Sequence, residues 1–308
     1  MNIGLIVQFG DSTTLDEAVE RFVQAERDGF ASAWVANIFG FDALTVLALA
    51  GRATSRIELG TAVVPTYPRH PHSLAQQAAT VNAATGGRLA LGLGRSHQVV
   101  IETMFGLSYD RPISHMREYV TIVRDLTRNG SCSVSGKVYN VNATLQVPGG
   151  GPFPILVGAL MPKMLRLCGE LCDGTLTWMC GPKYVSDTVV PTISAAAEEA
   201  GRPMPRVVCS LPVCVTDDKD RARGVAAKQL AHYGVLPVYR ACLDDKGAEG
   251  TADIAIVGSE DEVRAGIERM RDAGATDFYA AVFADVREGA RASVERTHAL
   301  LKSLGGSV

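Results

Sequence analysis

The residues best placed for chemistry follow short apolar runs of the kind that form buried strands. They are Gln8-Phe9-Gly10, Asn37-Ile38-Phe39, Val64-Pro65-Thr66-Tyr67, Gly94-Arg95-Ser96-His97, Gly158-Ala159-Leu160 and Trp178-Met179. Carboxylates are scarce among them, and Asp11 is the main one near the first four, so neither a metal site nor a paired-carboxylate glycosidase is supported. No apolar run ends in Lys, which argues against a Schiff-base aldolase, and no Gly-x-Ser-x-Gly elbow occurs. The remaining set is neutral, rich in glycine and partly aromatic, which suits a planar cofactor.

A glycine turn at residues 157–163 has the features of a phosphate site. Gly158 follows an apolar run, and Pro162 stands where a helix would begin. Free N–H groups at a helix N-terminus attract phosphate, and Lys163 and Arg166 would add positive charge. An ordinary strand-to-helix turn explains the same residues equally well.

Two other glycine motifs and the cysteines point to no further cofactor or metal. The Gly-x-Gly at residues 92–94 begins like a dinucleotide fingerprint, but His97 stands where the third glycine belongs. Gly136-Lys137 is followed by Val138, so the hydroxyl of a P-loop is missing. The seven cysteines form no Cys-x-x-Cys pair, so no metal site is predicted, and their odd number favours a reducing compartment.

Short apolar runs alternate with longer amphipathic ones along the chain. They predict eight strands, at residues 3–7, 33–36, 57–64, 89–93, 155–157, 174–178, 207–215 and 278–283. The amphipathic stretches predict helices at residues 15–28, 43–53, 73–84, 115–127, 164–171, 194–200, 219–232, 261–273 and 290–304. Strands that are apolar throughout are typical of a parallel sheet buried on both faces, and eight such units favour a closed (β/α)8 TIM barrel over a doubly wound sheet. No linker interrupts the pattern, so residues 1–308 are expected to form a single α/β domain.

Two insertions interrupt the repeat. Residues 131–148 are polar and strand-like near residues 137–141, and residues 233–252 carry Tyr233, Tyr239 and Asp244-Asp245. Long loops in compact domains are often lids or binding loops. Surface padding or an oligomer contact is an equally open interpretation.

The composition indicates a globular chain with little net charge. Of its 308 residues 47% are hydrophobic, and 30 Lys and Arg stand against 33 Asp and Glu, for a formal charge of −3. Because no basic run occurs and no apolar stretch approaches the ~20 residues that cross a bilayer, neither a nucleic-acid nor a membrane partner is expected. The chain runs straight into its first strand without a secretory leader, so a cytoplasmic protein is expected.

Several motifs, taken in order, resemble the bacterial luciferase-like superfamily. They are GTAVVP at residues 60–65, RHP at 69–71, GGRLALGLG at 86–94, DRP at 110–112, GELCDG at 169–174 and DAGATD at 272–277. Within that superfamily the chain most resembles the actinobacterial branch that uses the deazaflavin coenzyme F420. The resemblance runs nearly end to end and implies the same (β/α)8 barrel that the periodicity predicts.

The resemblance also implies where a coenzyme would lie. The cofactor-binding residues that it implies are Ala62, Val63, Thr66, Gly94, Arg95, Ser96, His97, Gly158 and Ala159. The first pair matches a strand bulge with a non-prolyl cis peptide, which backs the deazaflavin ring in F420-binding relatives. The loop at residues 94–97 would run beside the ring and ribityl chain, and the last pair would meet the phosphate.

The segment after the second strand departs from part of that branch. Some of its sugar-phosphate dehydrogenases place a catalytic Asp-His pair there, whereas this chain has Asn37-Ile38, neither of which is an acid or a base at neutral pH. The proton donor left near the ring is His97, so His97 and Asn37 are the predicted catalytic residues, although His97 could simply satisfy backbone carbonyls. An apolar substrate wall would come from Phe39, Tyr67, Trp178 and Met179.

The implied activity is that of an F420-dependent oxidoreductase, which moves hydride between C5 of the deazaflavin and an unidentified small organic substrate. Two alternatives stay open. One is an FMN-dependent monooxygenase on the same barrel, supplied with reduced flavin by a partner reductase. The other is a non-catalytic F420-binding protein. Relatives commonly dimerise through barrel helices, so a homodimer is expected.

Overall fold

Eight parallel strands close into a barrel in the computed structural model, which describes residues 1–245, 248, 250–285 and 290–305. In chain order the strands are β1 (Asn2–Ile6), β2 (Ser32–Val35), β3 (Glu58–Thr61), β4 (Val64–Pro65), β5 (Leu89–Gly94), β6 (Ser131–Ser135), β7 (Asn140–Thr144), β8 (Ile155–Gly158), β9 (Gly174–Trp178), β10 (Arg206–Ser210), β11 (Pro212–Val215), β12 (Ile256–Gly258) and β13 (Asp277–Val282). The ring runs β1-β2-β3-β5-β8-β9-β10-β13, and β13 pairs with β1 to close it. The predicted (β/α)8 barrel is therefore confirmed.

Two of the predicted strands are interrupted. The strand predicted at residues 57–64 stops after Thr61, where the Ala62–Val63 peptide bond is cis, and resumes as β4 against β5. The strand predicted at residues 207–215 breaks at Leu211, because Pro212 has no N–H to offer the ladder. Its second half, β11, pairs with β13 and with β12, a three-residue strand that hydropathy did not predict.

The helices surround the barrel. They are α1 (Leu15–Arg27), α2 (Ala43–Ala53), α3 (Pro71–Ala84), α4 (Pro112–Asn129), α5 (Pro162–Leu171), α6 (Pro182–Tyr184), α7 (Val190–Glu199), α8 (Lys219–Gln229), α9 (Ala231–Gly234), α10 (Pro237–Asp245), α11 (Glu260–Asp272) and α12 (Ala290–Gly305). Short π-helical segments lie at Val100–Met104 and Val185–Val189, and a 3-10 helix lies at Thr251–Ile254. Helices α3, α4 and α5 begin two or three residues earlier than predicted, because each starts at a proline, which fits the first helical turn.

Large side chains fill the middle of the barrel where neighbouring strands carry glycine. Trp34 stacks on Tyr279 with 5.4 Å between ring centroids, and both pack with Leu176 in an inner apolar cluster. A Cβ at Gly60 would come within 2.1 Å of the Trp34 ring, so only glycine leaves room for the indole there. The barrel is therefore a packed core below its mouth, not a channel.

An ion-pair network closes the amino-terminal end of the barrel. The guanidinium of Arg206 lies 2.9 Å from the carboxylate of Glu58 and 2.8 Å from that of buried Asp277, which also accepts from the Asn2 amide at 3.0 Å. Burial opposes the charged form of Asp277, but the hydrogen bonds and charge of Arg206 outweigh it and hold the pKa of this carboxyl below its usual value. Ion pairs and hydrogen bonds thus connect the strands at the end of the barrel opposite the predicted site.

The first insertion is an antiparallel hairpin. Strands β6 and β7 pair over their whole length, so much of the stretch predicted as strand-like, residues 137–141, forms the turn instead. The Glu118 carboxylate on α4 determines this turn, since it accepts from the N–H groups of Lys137, Val138 and Tyr139 at 2.7–2.9 Å. A Cβ at Gly136 would collide with that carboxylate, at 2.2 Å from its carbon.

The second insertion contains helices α9 and α10 and the 3-10 helix, all of which lie between α8 and β12. The helix predicted at residues 219–232 ends earlier, at Gln229, and a new short helix begins at Ala231. Tyr233 lies in α9 and Tyr239 in α10, and the side chains of Asp244 and Asp245 lie outside the described residues.

Other features concern what the described part of the chain contains. All seven cysteines are buried free thiols. No helix among the described residues combines the length and the apolar character needed to cross a membrane. Within the same residues, no group of three or more His, Cys, Asp or Glu side chains stands close enough together to hold a metal ion.

Candidate active site

Four neighbouring strands of the ring bring the predicted site residues to the carboxyl end of the barrel. Strands β2, β3, β5 and β8 are adjacent, and each leads into one of the segments singled out in the sequence. Backbone hydrogen bonds connect these segments, since Asn37 N–H donates to the Val63 carbonyl at 3.4 Å and Thr66 N–H donates to the Gly94 carbonyl at 2.9 Å. In such barrels the loops at this end build the active site.

Residues with small or no side chains form a shelf at this mouth, made by Ala62, Val63, Gly94 and Gly158. Val63 lies between the two glycines. A Cβ at Gly94 would come within 2.2 Å of Val63 Cγ2, whereas one at Gly158 would lie 3.5 Å from Val63 Cγ1. The missing Cβ at Gly94 thus makes room for the Val63 side chain, and the shelf carries no side chain larger than this valine. A surface of such small side chains suits the approach of a flat molecule.

Thr66 supports the shelf from behind. Its side chain is fully buried, and its hydroxyl lies 2.8 Å from Nε2 of His115. The His115 ring stacks on Tyr67 at 3.9 Å between centroids, and Tyr67 stacks in turn on Tyr109 at 5.0 Å. Burial, with a smaller contribution from the charge of Arg95, lowers the pKa of His115 to about 4, so the imidazole is neutral at pH 7. This histidine has a structural role, and its place in the site could not be predicted from spacing.

Asn37 is tied to the start of α2. Its side-chain oxygen accepts from the Ala43 N–H at 3.0 Å and from Arg69 at 3.5 Å. Asp42, the N-cap of the same helix, forms an ion pair with Arg69 and accepts a hydrogen bond from the Thr45 N–H. The Asn37 side-chain oxygen is thus occupied by a hydrogen bond from the start of α2. A catalytic role for Asn37 stays a prediction.

His97 is half-buried beside the second insertion. Its ring centroid lies 6.0 Å from that of Tyr239. Burial first, then the nearby His232 and Arg95, lower the pKa of His97 below its ordinary value, so the ring is neutral near pH 7. Its backbone carbonyl accepts from Val100 N–H, while the imidazole has no hydrogen-bonding partner among the described residues. His97 therefore does not satisfy backbone carbonyls with its side chain, and its ring nitrogens are available to a ligand.

An aromatic wall of Trp178, Tyr233 and Tyr239 stands at the mouth. The ring centroids of Trp178 and Tyr233 are 5.8 Å apart, and those of Tyr233 and Tyr239 are 5.1 Å apart. Burial raises the pKa of Tyr233 above its ordinary value. Met179, which was expected on this wall, is fully buried and therefore belongs to the packed interior.

A cleft of about 510 Å³ opens beside the shelf. Its lining residues are Arg95, Ile113, Met161, Pro162, Lys163, Met164 and Val238. The guanidinium of Arg95 lies 5.9 Å from the centre of the Tyr109 ring. Helix α5 begins in this cleft at Pro162, which has no N–H, and its N-cap Met161 makes no side-chain cap. The Met164 N–H donates to the Met161 carbonyl at 3.0 Å, which leaves the Lys163 N–H as the free donor of this turn among the described residues. The cleft thus combines the positive charge of Arg95 and Lys163 with one free backbone donor, which suits a phosphate group.

One expected contributor to this cleft lies elsewhere. Arg166 was predicted to add charge at the turn, but its guanidinium pairs with Glu199 on α7 at 2.8 Å and is directed away from the cleft. Val238 of α10, in contrast, was not predicted. Pro237, which marks the helix start, was the sequence signal that could have indicated α10.

The described geometry thus brings Asn37, the shelf, the loop at residues 94–97 and the turn after β8 to one mouth. Ser96 has a left-handed backbone there, with φ of 58°. Ala159 is buried, and its N–H donates to the carbonyl of Leu176 in β9 at 3.2 Å. Contact of any of these residues with a cofactor stays a prediction.

Comparison with known proteins gives the same family that the motifs indicated. The profile of the family described as luciferase-like monooxygenase matches residues 1–277. The chain is 28% identical over 288 residues to a 5,10-methylenetetrahydromethanopterin reductase of Methanolobus tindarius, which covers 83% of this chain and 87% of the relative.

Solved structures reproduce the barrel at low identity. An F420-dependent secondary alcohol dehydrogenase in complex with an F420–acetone adduct superposes with a TM-score of 0.79 at 20% identity, over 97% of each chain. The FMN-bound oxygenating constituent of a Pseudomonas putida diketocamphane monooxygenase gives 0.76 at 18% identity, over 98% of this chain and 96% of that one. At such identity these two likenesses establish the fold alone. The profile match over residues 1–277 shows more: this chain belongs to the luciferase-like monooxygenase family.

Proposed function

We propose that this protein is an F420-dependent oxidoreductase that transfers hydride between C5 of the deazaflavin and an uncharged, apolar organic substrate. The observation that carries the proposal is the continuity of the shelf with a cationic cleft. Gly94 ends the shelf, and the next residue, Arg95, lines the cleft of about 510 Å³ together with Lys163. A flat ring joined to a phosphate fits that arrangement.

The residues present fit such a cofactor on two grounds. The shelf carries no side chain larger than that of Val63, whose Cγ2 occupies the place where a Cβ at Gly94 would stand, so a planar group could lie against it. The uncapped start of α5 offers the Lys163 N–H and the positive charge of the Lys163 side chain where a phosphate would lie. When bound, F420 would supply a carbon centre that gives or accepts hydride.

The chain's own part is to orient the reactants and to handle one proton. His97 is neutral near pH 7, so one of its ring nitrogens can accept a proton from a substrate hydroxyl, and the other can donate a hydrogen bond. The mouth is short of carboxylates, and two histidines lie against the aromatic wall, His97 beside Tyr239 and His232 beside Tyr233. Tyr239 beside His97 excludes water from that side.

The substrate side of the mouth is apolar. Ile38 and Phe39, in the loop after β2, are each 65% exposed, and Val99, Met104 and Phe105 are exposed in the segment that follows His97. Clustered exposed apolar side chains commonly mark a binding surface. Together with the aromatic wall they favour a substrate without charge.

The experiment that tests the proposal is a parallel titration of the purified protein with oxidised F420 and with FMN, followed by cofactor fluorescence. We expect micromolar or tighter binding of F420 and none of FMN at the same concentration. With F420 bound, a panel of apolar alcohols and ketones should then contain compounds that change its absorbance. Binding of FMN alone would refute the proposal.

An FMN-dependent monooxygenase is the second candidate. The observation in its favour is the structural likeness to an FMN-bound Baeyer–Villiger monooxygenase, together with Asn37-Ile38 in place of an acid–base pair. Preference for FMN in the titration, followed by oxygen consumption once a reductase supplies reduced flavin, would establish it. A non-catalytic F420-binding protein would bind F420 and respond to no compound of the panel.

A further inference from the structure

A second cleft, of about 520 Å³, adjoins the one beside the shelf. Its lining residues are Arg111, Pro112, Ile113, Ser114 and Lys137. Ile113 lines both clefts, so they lie on either side of one side chain. The second cleft takes its residues from the start of α4 and from the hairpin turn between β6 and β7, neither of which belongs to the shelf or to the aromatic wall.

The second cleft is cationic. Arg111 and Lys137 are exposed and form no ion pair within the described part of the chain, and no acidic residue lines the cleft. The nearest carboxylate on α4 is that of Glu118, and its oxygens are occupied by backbone N–H groups of the hairpin turn. Positive charge at this place is therefore available to a ligand.

Backbone geometry adds donors to that charge. Arg111 is the N-cap of the 18-residue helix α4, has a left-handed backbone with φ of 49°, and makes no side-chain cap. The N–H groups of the first turn, which include those of Ile113 and Ser114, have no partner inside the helix. With Arg95 and Lys163 of the first cleft, four cations and two uncapped helix starts thus line two neighbouring clefts that share Ile113.

We infer that the two clefts form one anion-binding track, in which the first takes the phosphate of the cofactor and the second takes carboxylates of a chain attached beyond that phosphate. This inference rests on the proposed function. F420 carries such a chain, a run of linked glutamates, whereas FMN ends at its phosphate and has no atoms to reach Arg111 and Lys137. The second cleft would then favour tailed F420 over any flavin mononucleotide.

The test compares three cofactors, namely F420 with its glutamates, F420 from which the glutamates have been removed, and FMN. Affinities are measured by fluorescence titration at about 50 mM and about 300 mM salt, because exposed charge pairs are screened over this range. The variant is the double substitution Arg111→Asn and Lys137→Gln. Asn tolerates the left-handed backbone at position 111 and is a good N-cap, so the variant should fold.

We expect the wild type to bind tailed F420 roughly 5-fold more tightly than the tail-less form at low salt, since two exposed ion pairs contribute about this much. The double variant should lose that advantage and bind both forms alike. The control, Arg52→Asn with Arg56→Gln, removes two exposed cations near the start of β3, at the opposite end of the barrel, and should keep the advantage.

Three results would count against this track. Equal affinity of the wild type for tailed and tail-less F420 at low salt would refute it while leaving the proposed function intact. A loss of preference in the Arg52 and Arg56 control as large as in the test variant would refute it as well. Failure of both F420 forms to bind would overturn the proposed function and the track together. A free tri-γ-glutamate peptide should compete with tailed F420 more than with the tail-less form.

Discussion

The two glycines of the shelf differ in the room around them. At Gly94 an added methyl group would overlap Val63 at 2.2 Å, which no side-chain Cβ tolerates. Val63 is held in place because the next residues, Val64 and Pro65, pair with β5. At Gly158 the nearest atom would be 3.5 Å away, an ordinary van der Waals contact. Glycine is therefore required for steric reasons at position 94, whereas at position 158 there is room for a methyl group.

Gly94→Ala should move Val63 and disturb the seat of the cofactor, whereas Gly158→Ala should be tolerated. We expect Gly94→Ala to weaken binding of whichever cofactor the wild type takes by about 10-fold or more, because small misplacements of a binding surface are costly. Fluorescence titration of both variants, with thermal unfolding as a check on folding, measures this. Wild-type affinity in Gly94→Ala would mean that the ring does not lie on this shelf.

Residue types and spacing predicted where side chains would gather but not how each is used. The positions of the predicted strand ends correctly placed His97 and Asn37 at the same end of the barrel, because the carboxyl ends of parallel strands lie at the same edge. That the Asn37 oxygen is bound to the Ala43 N–H, and that His115 is the deeply buried histidine, depends on how helices dock. No pattern local to those residues carries that information.

At the scale of elements, the long periodic segments were predicted well and the short ones were not. All eight barrel strands were predicted because they are apolar throughout. β12 has three residues and α9 has four, which is too short for any period to be recognised. The hairpin of β6 and β7 was only partly recognised, although its strands alternate exposed polar residues with the inward-facing Cys132, Val134, Val141 and Ala143, because each strand has only five residues.

The loop after β2 should bind apolar ligands. Replacing Ile38 and Phe39 together by Ser removes two side chains that are 65% exposed at the mouth. We expect this variant to bind a neutral apolar fluorophore such as Nile red several-fold less tightly than the wild type, because each buried apolar side chain contributes about 1.5–3 kcal/mol.

The matched control is Met204→Ser, which removes a side chain that is 58% exposed just before β10, at the other end of the barrel. It should leave Nile red binding unchanged. Equal binding by all three proteins would show that the fluorophore does not use the mouth, and the apolar character of the substrate would lose its support.

In the whole molecule, the ion-pair network and the candidate site lie at opposite ends of the barrel. The Arg206 network joins β3, β10 and β13 at the amino-terminal end, whereas the shelf and the clefts lie at the carboxyl end. Such a separation lets the loops vary without weakening the ring.

Arg206→Ala should destabilise the fold strongly, because it leaves buried Asp277 and the half-buried Glu58 without their cation. We expect a loss of about 3–5 kcal/mol in the free energy of unfolding, measured by urea denaturation. The exposed pair of Arg27 and Glu20 supplies the control, and Arg27→Ala should cost less than about 1 kcal/mol. Similar losses in the two variants would contradict a closing role for the network.

The split at Pro212 also bears on how this protein could be redesigned. Strand β11 pairs with β12 in parallel, with Val213 opposite Ile256 and Val215 opposite Gly258, so the segment between them leaves and rejoins the fold at points less than about 10 Å apart. That segment carries Tyr233 and Tyr239, yet it lies outside the eight strands that close the ring. We therefore expect that this segment can be replaced by the corresponding segment of a relative, joined at Val215 and Ile256, while the barrel stays closed. The chimaera should then prefer the substrate of that relative.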